Sequence, residues 1–165
     1  MDDLDLLLEE FEDDLNEVIM EKVVPIVEEE FHEQSERIYD EYTPWGTNPY
    51  QRRYENNVQG SFGDREMIDT EVEGSIKNGE INLMTRNNSL ANGTQKGKYL
   101  DSLIEEGTSY GWRHKGGNGQ AGDGRPYDFA PPRPVSERVV EELNDNQKIE
   151  NAIERGMKSK GYDIS

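Results

Sequence analysis

The chain has 165 residues, a formal net charge of −18 and no cysteine, which excludes a disulfide framework or a thiolate metal site and suits one domain with an appendage. Leu, Ile, Val and Phe together number only 33, on the line below which highly charged chains stop forming cores of their own, so burial between copies is expected to supplement burial within one. Residues 1–41 hold 17 acids against Lys22 and Arg37, and this acidity argues against ordinary nucleic-acid binding, where Lys and Arg must replace the phosphate counterions.

The opening "MDDLDLLLEE" has no basic n-region, and no apolar run approaches the roughly 20 residues needed to span a bilayer, so a protein made in a cytoplasm and without a membrane partner is expected. Leu4, Leu8, Phe11, Leu15 and Val18 then recur at alternating intervals of four and three, the period of one apolar stripe on an acidic helix. Ile19, Val23, Ile26/Val27, Phe31 and Ile38 extend the stripe with drift. Pro25 lacks an N–H and crowds the preceding turn, which predicts a kink in a helix spanning 1–41, or a break with Pro25 in a new first turn. His32 is expected on the acidic face of this helix.

From 42 to 165 the spacing predicts a hairpin and further helices, with long loops at 42–65 and 108–130. "YTPWGTNPYQRRYENNVQGSFGD" has no helical period and reads as an irregular loop rich in aromatic residues. Ile68, Thr70 and Val72 alternate on one side of Asn78-Gly79, and Ile81, Leu83 and Thr85 on the other, which predicts a β-hairpin. "YLDSLIEEG" places Leu100, Leu103 and Ile104 on one face of a short helix closed by Gly107. C-terminal helices follow at about 134–160, carrying Val135, Val139, Val140 and Leu143, then Ile149, Ile153 and Met157, with a break at 144–146 and a stop at Gly161.

Gly117, Gly119 and Gly122 satisfy G-x-G-x-x-G literally, but the helix that should open there is stopped by Arg125-Pro126, so the stretch reads as a loop and not as a dinucleotide site. Only His32 and His114 are present, and no calcium-loop pattern fits, so no metal and no cofactor is expected. Glu105 and Glu106 are adjacent carboxylates, yet neither a nucleophile elbow nor a catalytic triad surrounds them. No catalytic residue is assigned and the chain is not read as an enzyme.

Three stretches carry a family resemblance. Tyr50 with Arg52, Arg53 and Tyr54, then Leu103-Ile104-Glu105-Glu106-Gly107, then Arg133-Pro134 at the entry to a C-terminal helix occur in the order and spacing of the tail-completion or head-tail joining proteins of tailed phages infecting Gram-positive bacteria, often labelled minor tail or neck proteins. The closing "AIERGMKSKGYDI" is similar as well. The chain departs from the more typical members at Thr47-Asn48-Pro49 and at Val135, where many carry Phe.

The resemblance implies an α+β fold with a long N-terminal helix and C-terminal helices packed on a small antiparallel sheet. It implies a structural virion protein in the neck: a cyclic homo-oligomer, six-fold or alternatively twelve-fold, with a connector or stopper on its head side and a tail tube or tail terminator on its tail side. DNA would pass through such a ring without specific binding, which suits an acidic wall. Expected contacts are Arg52, Arg53, Tyr54, Glu106, Tyr110, Trp112, Tyr127, Phe129, Arg133 and Pro134. The alternative, from the charge alone, is an acidic DNA mimic or inhibitor occupying a basic host partner.

Overall fold

The computed structural model describes residues 3–41, 59–60, 62–90, 97–105 and 134–164. Helix α1 (Asp3–Val18) runs through a π turn (Ile19–Val23) into α2 (Val24–Glu41). A short 3-10 turn (Arg65–Met67) leads into strands β1 (Ile68–Ser75) and β2 (Glu80–Asn87), and α3 (Leu100–Glu105), α4 (Val135–Asp145) and α5 (Lys148–Ser159) complete the order. The fold is α+β, as the resemblance implies.

The π turn has a reason in the apolar spacing. Ile19, Val23, Val27 and Phe31 stand four residues apart, and in a regular helix each step of four rotates the side chain about 40° off the core. A wider turn takes up part of that drift, and all four side chains are buried. The Val24 N–H donates to the Ile19 carbonyl across the turn, directly ahead of Pro25, which has no N–H to offer the preceding carbonyls.

The hairpin keeps its predicted faces: Thr70 pairs with Thr85, Val72 with Leu83 and Gly74 with Ile81. Across the inner face the Thr70 and Thr85 hydroxyls meet at 2.9 Å. The turn is longer than a two-residue Asn-Gly turn, because Ile76–Asn78 coil into a 3-10 turn and only Gly79 takes the left-handed conformation, with φ 84°. Two strands alone are marginal in water. Ile68, Val72, Ile81 and Leu83 are therefore held against the helical core, which is built on α2 and α4 around Phe31, Ile38, Val135, Val139 and Leu143.

Two expectations fail in detail. Val140 faces solvent, because Val135, Val139 and Leu143, spaced by four, already fill the buried side of α4. The break between α4 and α5 falls at Asn146-Gln147, overlapping the expected 144–146 only at Asn146, and Gln147 adopts φ 50°.

Candidate assembly interface

Pro134 is the one expected contact residue within the described chain; Arg52, Arg53, Tyr54, Glu106, Tyr110, Trp112, Tyr127, Phe129 and Arg133 lie outside it, as do Gly107, His114 and the glycines at 117, 119 and 122. Pro134 occupies the N-cap of α4, where it has no side chain able to accept from the first-turn N–H groups. Its carbonyl accepts from the Arg138 N–H at 3.2 Å.

The missing cap comes from another element. Glu105, the last residue of α3, accepts with Oε1 from the Ser136 N–H and from the Ser136 hydroxyl, both at 2.7 Å. A carboxylate there satisfies an orphan donor and meets the positive end of the helix dipole. Two of the stretches that carry the resemblance, the acid at the end of the short helix and the proline entry, are thus one junction. Adjacent carboxylates suggested chemistry only weakly in the sequence; Glu105 holds a helix in place.

Within "GSFGD", Phe62 and Gly63 turn inward. Phe62 is buried, and its carbonyl accepts from the Asn87 side-chain amide at 2.9 Å. His32 is not on the acidic face. Its ring is buried, and Nε2–H faces the Gly63 carbonyl at 3.3 Å, because Gly63 lies against α2 at this point. Asp64 accepts from the Glu66 N–H and starts the 3-10 turn, and Arg65 reaches Glu29 of α2 through a forked contact with one arm at 2.7 Å.

The long acidic helix is engaged by the rest of the fold along its C-terminal half. Gly156 lets α5 approach α1 so closely that a Cβ there would come within 2.9 Å of Val18 Cγ2. Past α5, Gly161 takes φ 100°, so the Tyr162 N–H reaches the Met157 carbonyl and the Gly161 N–H the Lys158 carbonyl, both at 3.1 Å. This Schellman closure throws the chain back onto α1. Tyr162 packs edge-on against Phe11 with centroids 5.1 Å apart and donates its hydroxyl to Asp14 at 2.9 Å. Lys160 lies 3.0 Å from Asp14 and 2.6 Å from Glu17, and these hydrogen bonds hold the Asp14 carboxyl below its usual range. Lys77, in the hairpin turn, pairs with Glu12 at 3.4 Å.

Among the described residues, the leucine side chains in the N-terminal half of α1 are left exposed. Leu4, Leu6, Leu7 and Leu8 are 50–63% exposed, so the apolar stripe runs on beyond the part of the fold that covers it. The regular spacing of Leu4 and Leu8 with Phe11 marked one face in the sequence, but nothing in that spacing said where the cover would end. None of the helices among the described residues is long and apolar enough to cross a membrane.

A family model matches residues 1–159 of this architecture, from α1 through the last turn of α5. The chain belongs to the YomN family. YomN proteins are phage-derived, of the SPbeta prophage type, which agrees with the phage origin that the motifs imply. Neither the curated proteins nor the solved structures offer a match.

Proposed function

We propose that this YomN-family chain is a structural virion protein of a tailed phage, forming a ring in the neck that completes the tail and joins it to the DNA-filled head. The observation that carries the reading is the junction of α3 with α4. The two resembled stretches on either side of 106–133 come together through Glu105 and Ser136, so the two described residues that flank this segment, Glu105 and Pro134, belong to one junction of the fold.

A segment flanked in this way, with Tyr110, Trp112, Tyr127, Phe129 and Arg133 within it, is suited to reach a neighbouring subunit or a neighbouring neck protein. Pro134, with its φ of −74°, sets the direction in which the chain enters α4. Arg52, Arg53 and Tyr54 belong to the other long connection and supply the second contact set. The mechanism is geometric: a heterologous interface that closes on itself, one ring face matching the connector and the other the tail tube. No catalytic step is assigned.

Quantitative mass spectrometry of purified virions tests this. The chain is expected in joined particles at a fixed copy number that is a multiple of six. Its absence from purified particles made by cells that express it in quantity contradicts a virion role.

A further inference from the structure

The open half of α1 has chemistry that the covered half interprets. Between Asp3 and Val18 the helix carries eight carboxylates and no base. Where the fold covers it, the covering groups follow one pattern: the Tyr162 ring lies on Phe11, while Lys160 and Lys77 meet Asp14, Glu17 and Glu12 on either side. Leu7 and Leu8 precede Phe11 by one turn, and Leu4 precedes them by another, so the covered ridge continues uninterrupted into the exposed one.

We infer that the Leu4–Leu7–Leu8 ridge of α1 is a docking surface for a lysine- or arginine-rich amphipathic segment of a different protein, laid along the helix as an extension of the Lys160–Tyr162 contact. Charge selects this occupant. A second copy of α1 would bring two all-acid helices together along one seam, and an anionic lipid surface would be repelled in the same way. A basic amphipathic helix places leucine-sized side chains between Leu4 and Leu8 and its cations on the flanking carboxylates, which is recognition of an amphipathic helix by its apolar face. The inference does not depend on a place in the neck, because the isolated chain presents the ridge.

The test uses the full chain and a fluorescent synthetic helix made only of leucine and lysine, with its leucines on one face. Wild type is expected to bind it with an affinity that falls as salt rises. Leu4→Gln/Leu7→Gln/Leu8→Gln, which keeps every charge, is expected to weaken binding about tenfold or more. Circular dichroism and the urea midpoint are expected to match wild type, since these side chains are exposed. Leu4→Gln alone should give a partial loss, and Val140→Gln, an exposed apolar residue on α4, none. Equal binding by the triple variant and wild type overturns the inference, because attraction is then diffuse and the ridge plays no part. A triple variant whose only change is loss of self-association in light scattering overturns it in favour of a second copy.

Discussion

Lys148 Nζ donates to Glu30 Oε2 at 2.6 Å across 118 residues, joining the start of α5 to the middle of α2. The two partners are unequal: the Glu30 side chain is 1% exposed and the Lys148 side chain 41%. Burial pushes the Glu30 carboxyl up, but hydrogen bonds from Lys148 and from Gln34, the latter at 2.8 Å, outweigh it and hold the carboxyl below its ordinary 4.5. Lys148→Met leaves a buried carboxylate with one neutral donor and should cost about 3 kcal/mol at pH 7. Glu30→Gln leaves a lysine that can turn to water and should cost less, about 1 kcal/mol. Urea midpoints of the two variants check the order.

The same pair makes a prediction in pH. A carboxyl with a depressed folded pKa contributes stability that is present above about 4.5 and is lost as pH falls through its folded value. In Lys148→Met burial loses its main counterweight, so the folded pKa should rise and the deficit relative to wild type should shrink as pH falls from 7 to 5. Urea titrations at both values, read as the difference between variant and wild type, cancel the common effect of the other acids. A deficit that grows on acidification contradicts the assignment.

Gly156→Ala sets helix propensity against packing. In an open helix the change stabilises by about 1 kcal/mol. Here the added methyl would meet Val18, a short branched side chain that has little freedom to withdraw, and overpacking costs about 1–3 kcal/mol. A net loss of about 1 kcal/mol is expected in thermal or urea unfolding. Val18→Ala combined with Gly156→Ala should relieve the clash, so the two changes should be strongly non-additive.

Glu105→Ala should destabilise by about 1 kcal/mol through the uncapped N-terminus of α4, and Glu105→Gln by less, because an amide oxygen still accepts from Ser136. Amide exchange at Ser136 and its neighbours is the readout, with faster exchange in the alanine variant. An effect confined to assembly, with exchange unchanged, contradicts the capping role.

Gln147→Gly removes a left-handed strain that a side chain tolerates poorly and should stabilise by about 1 kcal/mol. The Gln147 carbonyl accepts from Asn151 in either variant, so the loop geometry is kept. A rise in melting temperature checks it.

Periodicity made the helices and the hairpin readable before any coordinates: Val135, Val139 and Leu143, or Thr70 against Thr85, stand where their spacing places them. What periodicity could not supply was the partner of each polar group. Glu30 and Glu29 are neighbours in an unbroken acidic run, yet one is buried under Lys148 and the other is half-exposed beside Arg65, a difference set by residues far away in sequence. His32 went inward for the same reason. Gly156 gave no signal of its own, since a lone helical glycine announces a close approach only when the facing Val18 is known. Of the expected contact set, Pro134 has its place as an N-cap, and the capping carboxylate beside it came from a pair of acids whose role the sequence left open.

Electron microscopy of particles from a phage or prophage lacking this chain tests the neck role. DNA-filled heads and separate, otherwise complete tails are expected, with joining restored when the chain is supplied from a second copy of its gene. Normal joined virions in the absence of the chain would contradict that role.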